Sequence, residues 1–284
     1  MLNVYAPAKI NLVLEVLSKY DDDYHQISSV IQAVSLCDVL KFQLAEGISF
    51  ECSELSLEQG NLVTRAAMLL KKFTKCDKGV GIKLRKNIPW GVGLGGGSSD
   101  AAATLLTLNK LWGLELSPSE LARLAFRLGS DVSFFIYGGT ALVEGKGEKV
   151  TPLPSLRTTW FVLLVPPLPK IKEKTGQLYG KLNDSYYTEG EYVHSALLSL
   201  RQKRTIAPRL IFNVFEKVAY DFFPELAEYK RIFEQVGART VHMTGSGPCL
   251  FTSVSRKEKA ESLCLRLRGQ GMECYVVSSL PLVS

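Results

Sequence analysis

The sequence predicts an α+β protein of two domains, and three observations predict it. Period-two alternation recurs between Ile10 and Leu84, which is the signature of strands with one covered face. A glycine-rich loop in the middle of the first half opens directly into an alanine- and leucine-rich helix. Near Leu153 the chain changes character, and proline clusters flank the short aliphatic run Trp160–Val165. That change divides the 284 residues into segments 1–154 and 155–284. A chain of this length holds one large domain or two ordinary ones.

The first segment alternates cleanly. Ile10, Leu12, Leu14 and Val16 point one way, and Lys9, Asn11, Val13 and Glu15 the other. Lys9 and Asn11 are neighbours on the second face, which a strand taken alone presents to solvent. The acidic turn DDDYHQ leads to a second strand-like stretch, ISSVIQAVSL, and Phe42 and Leu44 continue the β character. Leu62, Ala66, Leu69, Leu70 and Phe73 have helical spacing, with Asn61 placed to cap that helix. Val80, Ile82 and Leu84 alternate with Gly81, Lys83 and Arg85, predicting a half-exposed strand. The glycine loop follows, and Ser98, Ser99 and Asp100 are read as the start of the helix AAATLLTLNKLW. Ser117-Pro118-Ser119-Glu120 is a capping box with proline at the first helical position. Its helix runs to Leu128 and stops at Gly129. Asp131 lies between that stop and the apolar run SFFIYGG. A strand over Thr140–Val143 and the turn EGKGEK close the first half.

In the second half, a strand over Trp160–Val165 precedes a lysine-rich stretch carrying Thr175 and Tyr179. Helices are predicted over 191–203, 208–220 and 225–236. Strands over Thr240–Met243 and Cys249–Val254 flank the turn TGSGP. A helix over 256–268 and a strand over Cys274–Ser278 finish the chain. Strands beside helices in this order read as an α+β sandwich.

Composition narrows the function classes. A net charge of +6 suits anionic ligands. The basic residues are dispersed, and the densest group, Lys83, Arg85 and Lys86, is one strand face, so no nucleic-acid partner is expected. The longest clean aliphatic run, Phe161–Val165, is far too short to span a bilayer. The opening MLNVYAPAKI lacks a basic-then-apolar export pattern. A soluble, cytoplasmic protein is expected, as a monomer or weak homodimer. Cys37, Cys52, Cys76, Cys249, Cys264 and Cys274 form no Cys-x-x-Cys pair, so they read as reduced thiols and not as a zinc site.

Pro89 to Ala103, PWGVGLGGGSSDAAA, carries the most chemistry. Five glycines fall within Gly91–Gly97: Gly91, Gly93, Gly95, Gly96 and Gly97. Glycine tolerates positive φ and lets another group approach the backbone closely. The free N–H groups of the following helix, with its dipole, add donors for an anion. A Walker-type loop needs a lysine before Ser98, where Gly97 stands. A Rossmann fingerprint matches Gly91, Gly93 and Gly96 in letters, but the preceding strand is half exposed rather than apolar on both faces. A flexible linker is the plain alternative, set against a helix that starts at once. The loop reads as a phosphate cradle of neither standard type.

Pro89-x-x-x-Gly93-Leu94-Gly95-Gly96-Gly97-Ser98-Ser99-Asp100-Ala101-Ala102 resembles the phosphate-binding motif of the GHMP small-molecule kinases. The triple glycine is similar to one branch, which phosphorylates the 2-hydroxyl of a diphosphocytidyl-linked methylerythritol in non-mevalonate (MEP) isoprenoid synthesis. Further segments resemble that branch in order: Pro7 to Leu12, Tyr24-His25, Gly60 to Val63, Leu128 to Val132, Asn213 with Glu216, and Thr244 to Gly247. The resemblance implies a two-domain GHMP kinase fold, an N-terminal mixed α/β sandwich followed by a ferredoxin-like α+β domain. It implies ATP and Mg²⁺, and a small cytidyl diphosphate substrate. Asp131 is then the catalytic base and Lys9 assists it. The five loop glycines with Ser98 and Ser99 hold ATP phosphates, Ser99 also serving Mg²⁺. Asn61 and Lys86 lie near the ATP nucleoside. Asn11, Tyr24, His25, Thr175 and Tyr179 contact the substrate, with Tyr179 stacking the cytosine opposite Tyr24. Gly245, Ser246 and Gly247 face its phosphates. Two departures stand out: Asp23 replaces the glycine usual before Tyr24, and Tyr179 replaces a phenylalanine. The alternatives are a GHMP kinase of the homoserine or mevalonate class, and a non-catalytic nucleotide- or RNA-binding protein.

Overall fold

The computed structural model describes residues 1–282, so the last two residues of the second predicted segment lie outside it. In chain order the elements are β1 (Leu2–Lys19), β2 (His25–Ala45), β3 (Ile48–Cys52), α1 (Leu62–Thr74), β4 (Gly79–Arg85), α2 (Gly96–Trp112), α3 (Pro118–Phe126) and α4 (Val132–Tyr137). There follow β5 (Thr140–Gly145), β6 (Lys149–Pro152), β7 (Trp160–Val165), α5 (Lys174–Tyr179) and α6 (Glu191–Lys203). The chain ends with β8 (Phe212–Asn213), α7 (Glu216–Phe222), α8 (Leu226–Gln235), β9 (His242–Met243), β10 (Leu250–Val254), α9 (Lys257–Arg268) and β11 (Glu273–Ser278). The α+β expectation holds.

Two sheets organise these elements. The first runs β3-β4-β2-β1-β8, and β2 is long enough to pair with β4 through 39–45 and with β5 through 27–32. The second is β11-β7-β10-β9, antiparallel throughout. The second segment also lends β8, parallel to β1, to the first sheet. One core lies between the first sheet and α1–α4, where Ala101, Ala102, Leu105 and Leu108 of α2 are buried. Alanine at the contact lets the helix lie close on the sheet. A second core gathers Val162 and Leu164 of β7 with α7, α8 and α9, and a third fills the space between β1 and the second sheet.

β1 departs from simple alternation. Its pairing with β2 slips at Pro7/Ala8, Asn11/Val13 and Val16/Ser18. Each bulge re-aims the side chains that follow it, and Leu12 to Val16 are buried in unbroken succession. The face carrying Lys9, Asn11 and Glu15, which looks solvated in the sequence, is therefore covered. Glu15 is satisfied there by accepting from the Tyr192 and Val193 backbone N–H groups at the start of α6.

Other expectations need correction. Ser98, Ser99 and Asp100 do not begin α2; they lie inside its first turns, and Gly95 in the left-handed region (φ 72°) is the residue before it. Glycine adopts that conformation without penalty, so the helix starts upstream of the polar cluster. The 208–220 helix is broken into a short 3₁₀ turn at Pro208–Leu210, β8 and α7. Asn213 pairs with β1 there, and tertiary pairing overrides local helical spacing. SFFIYGG opens with a short helix, α4. Cys264 and Cys274 are joined as a disulfide rather than free, because α9 turns straight into β11 and brings their Cα atoms to 5.9 Å. Asn61 does cap α1, accepting from the Val63 N–H at 2.9 Å, and the capping box of α3 is complete.

Candidate active site

The site forms where β1, the glycine loop, the start of α4 and the β9–β10 turn meet. The loop reaches this junction by three left-handed glycines: Gly91, Gly93 and Gly95 at φ 78°, 93° and 72°. Two of them also permit close contact. A Cβ on Gly93 would lie 2.4 Å from the Thr244 carbonyl oxygen, and one on Gly95 would lie 2.9 Å from Lys9 Cγ. The loop thus packs backbone-first against the β9–β10 turn and against β1. Leu94 C=O accepts from the Lys9 N–H at 2.9 Å, and Val92 C=O from the Cys249 N–H at 3.2 Å.

Gly95 has no side chain to cap α2, so the N–H groups of Gly96, Gly97 and Ser98 have no capping side chain. Ser99 Oγ is buried and has no hydrogen-bond partner. Uncapped N–H donors and a helix dipole at the start of α2 suit phosphate.

Beneath this point lies a buried ionic cluster. Lys86 Nζ bonds Asp38 and, at 2.8 Å, Asp100 Oδ2. A Cβ on Gly96 would come within 3.1 Å of the same ammonium. Burial alone would lower the Lys86 ammonium, but Asp100 and Asp38 together hold it above its usual range. Burial pushes Asp100 up to about 7, with Lys86 opposing that shift. Asp38 Oδ1 also accepts from the Asn87 and Ile88 N–H groups, which anchors the strand-to-loop junction. Lys86 is thus committed to holding the loop from below. Asn61 is committed to its cap and to the Leu57 carbonyl. Its neighbour Leu62 would touch a Cβ on Gly97 at 3.8 Å, which places the start of α1 beside the loop.

Lys9 and Asp131 meet at the open side. Lys9 is 3% exposed, and its Nζ lies 3.4 Å from Asp131 Oδ2, a carboxylate with 43% of its side chain exposed. The ammonium is aimed by Asn11, whose Oδ1 accepts from it at 2.6 Å. Asn11 is itself fixed: its N–H donates to Thr244 Oγ1 and its Nδ2 to Ser29 Oγ, each at 2.9 Å. A Cβ on Gly245 would crowd Gly93 O and Lys9 Nζ at 3.1 and 3.2 Å, so the glycine turn closes over the lysine. An exposed carboxylate is therefore held against a buried, immobilised cation.

A cluster of rings lines the neighbouring wall. His25 stacks on Tyr179 at 4.8 Å between centroids and meets Tyr187 edge-on at 6.0 Å. Tyr179 packs edge-on against Phe215. Burial first, then the Asp131 charge, push the Tyr179 phenol well up, so it stays neutral. Burial, with Lys19 adding to it, lowers His25, which favours the neutral ring with one donor and one acceptor. Tyr24 is exposed, with the Lys146 ammonium 5.0 Å above its ring. Asp23 adopts the left-handed conformation (φ 65°), which glycine takes without penalty. Thr175 Oγ1 and Ser246 Oγ share a hydrogen bond of 2.8 Å across α5 and the glycine turn.

Sequence reasoning missed several residues of this assembly. Asn213 Nδ2 donates to the Met243 and Gly245 carbonyls, and Glu216 accepts from the Met243 N–H. These two residues brace the glycine turn; their motif is visible in the sequence, their task is not. Asp38 and Lys174 carry no local signal at all, since their importance comes from partners far along the chain.

Comparison with known proteins agrees with this geometry. The description "GHMP kinases N terminal domain" matches residues 61–139, and "GHMP kinases C terminal" matches 195–271. A 4-diphosphocytidyl-2-C-methyl-D-erythritol kinase of Dehalococcoides mccartyi is 43% identical over 281 residues, covering 99% of both chains. One from Shouchella clausii is 40% identical, covering 97% of this chain and 93% of that one. A crystal structure of 4-(cytidine 5'-diphospho)-2C-methyl-D-erythritol kinase aligns with a TM-score of 0.84 at 32% identity, over 98% of this chain and 99% of the other. A homoserine kinase from Cytophaga hutchinsonii shares the fold, with a TM-score of 0.77 at 18% identity over 99% and 95% of the two chains. The chain belongs to the GHMP kinases and, within them, to the family of the 4-diphosphocytidyl-2-C-methyl-D-erythritol kinases.

Proposed function

We propose that this ATP-dependent kinase transfers a phosphoryl group to the 2-hydroxyl of 4-diphosphocytidyl-2-C-methyl-D-erythritol, in the non-mevalonate route to isoprenoid precursors. The observation that carries the reading is the Lys9–Asp131 pair beside the uncapped start of α2, with a ring-lined wall within reach. Phosphoryl transfer is achieved mainly by positioning and charge stabilisation. The Gly91–Gly97 loop with Ser98 and Ser99 holds the phosphates of ATP, and Asn61 and Lys86 support its nucleoside side from beneath. Asp131 orients the attacking hydroxyl and accepts its proton. Lys9, fixed by Asn11, orients the Asp131 carboxylate and adds positive charge next to the moving phosphoryl group. His25, Tyr24, Tyr179 and Thr175 hold the cytidyl end, and Gly245 to Gly247 face the substrate's phosphates.

Mg²⁺ belongs to this proposal. A hard cation takes oxygen ligands and usually keeps several waters, with only one or two from protein. The unpartnered Ser99 hydroxyl fits that role. The ion supplies neutralisation of phosphate charge when bound. Among the described residues no helix is long and apolar enough to cross a membrane. A cytoplasmic monomer or weak homodimer acting on a diffusible substrate completes the reading, as does a division into segments 1–154 and 155–284.

A cytidyl pocket separate from the ATP site makes a testable demand. Calorimetric titration with CDP, in the presence of a saturating non-hydrolysable ATP analogue, is expected to show a second binding event. His25→Ala is expected to weaken CDP about tenfold, the cost of one buried hydrogen bond, and to leave the analogue unaffected. CDP that competes with the analogue for one site would refute the pocket assignment.

A further inference from the structure

Lys174, at the start of α5, has no role in the reaction as described. Its side chain is buried, 8% exposed. The ammonium lies across the junction of the two turns that form the site. It donates to the Gly91 carbonyl of the glycine loop at 2.8 Å and to the Gly247 carbonyl of the β9–β10 turn. Both acceptors are neutral, and among the described residues no carboxylate pairs with it. The titratable groups that act on it are Lys9 on β1, a second cation, and the buried thiol of Cys249. Burial, then the Lys9 charge, push the Lys174 ammonium down to about 8.

A buried charge without a counter-ion is costly, and the cost is removed when an anion arrives. An ammonium has three donors, and two are spent here on carbonyls. The remaining donor and the whole net charge are unanswered. The position limits what can answer them. On one side is the loop that seats ATP phosphates, and on the other the turn that faces substrate phosphates. The segment is also held in register from outside: Lys170 Nζ sits 3.2 Å from the centre of the Trp90 ring, beside Gly91. Thr175, next in sequence, is tied to Ser246.

We propose that Lys174 is a phosphate-binding residue at this junction, its charge neutralised by phosphate oxygens of a bound nucleotide. The inference rests on the kinase reading above. A lysine that merely ties the two turns together would need only its two carbonyls, and its charge would be incidental. The two roles separate on charge and pH.

The test is a titration of wild type, Lys174→Met, Lys174→Gln and Lys174→Arg with a non-hydrolysable ATP analogue and, separately, with CDP. Each is run at about pH 7 and about pH 9, to either side of the Lys174 ammonium. In wild type, affinity for the responding nucleotide is expected to fall as pH rises through about 8. Lys174→Met and Lys174→Gln are expected to weaken it about ten- to hundredfold near neutrality and to abolish the pH dependence. Lys174→Arg stays charged and is expected to hold its affinity at the higher pH. The nucleotide that responds identifies the phosphate. Thermal melting checks folding; should the methionine variant unfold, the glutamine and arginine variants and the wild-type pH profile decide. Affinities within about twofold of wild type in Lys174→Gln for both nucleotides would overturn the proposal, because a neutral donor would then suffice. Wild type that binds neither nucleotide would overturn the kinase reading itself.

Discussion

Asp131→Asn is expected to lower kcat by about 10²- to 10⁴-fold, the range for loss of a positioned general base. Asparagine fills the same space but neither accepts a proton nor carries charge. The carboxylate is 43% exposed, so the change leaves no buried gap, and its partner Lys9 keeps the Asn11 bond at 2.6 Å. Stability should fall by about 1–3 kcal/mol, because the buried Lys9 ammonium loses its counter-ion while Asn11 still accepts from it. Nucleotide affinity should persist, since the proposed phosphate site is the Gly91–Gly97 backbone and the start of α2. Steady-state turnover with a parallel nucleotide titration checks all three. A variant that keeps turnover within about tenfold of wild type would remove Asp131 from the base role.

Lys86→Met is expected to give the largest loss of stability, about 3–5 kcal/mol, as for a buried ion pair stripped of one partner. Methionine matches the length of the stem but leaves Asp38 and Asp100 facing each other without a cation. Both carboxylates are buried, and Asp100 Oδ1 already lacks a hydrogen-bond partner. The pH dependence follows from Asp100. Its pKa in the folded protein is raised from 3.8 to about 7, so its favourable contribution is present at acid pH and lost as pH rises through about 7. The penalty in Lys86→Met should therefore be smaller at about pH 5, where a proton on Asp100 relieves the missing cation, than at about pH 8. Urea unfolding at the two pH values measures it. Equal stability of variant and wild type at the higher pH would show that the cluster does not hold the loop. The consequence reaches the proposed phosphate site, because the Lys86 ammonium lies close under Gly96, within 3.1 Å of where a Cβ would stand.

The parts of this architecture that were legible in the sequence are those written in local chemistry. The strand Trp160–Val165, the Asn61 cap and the capping box at Ser117–Glu120 all depend on neighbouring residues, and each was found in place. The glycine loop was legible for the same reason. The start of α2 was not, because Gly95 in the left-handed region advances the helix past the serines that look like caps. The cover over the polar face of β1 is not legible in the sequence, because alternation does not reveal what packs on a strand. Lys9 and Asn11 are covered by Gly245 and Thr244, more than two hundred residues away. Lys174 was invisible for a related reason: its acceptors are backbone carbonyls, Gly91 and Gly247, that no motif records. Sequence can name candidates that bring their chemistry with them, such as the loop glycines and Asp131. Those that aim or brace them are defined by contacts across the fold.

The most direct measurement is ATP consumption by purified protein with Mg²⁺ and 4-diphosphocytidyl-2-C-methyl-D-erythritol, with homoserine and mevalonate in parallel. Turnover with the cytidyl substrate alone is expected. Turnover with homoserine or mevalonate instead would keep the Lys9–Asp131 chemistry but contradict the reading of His25, Tyr24 and Tyr179 as a cytidyl pocket.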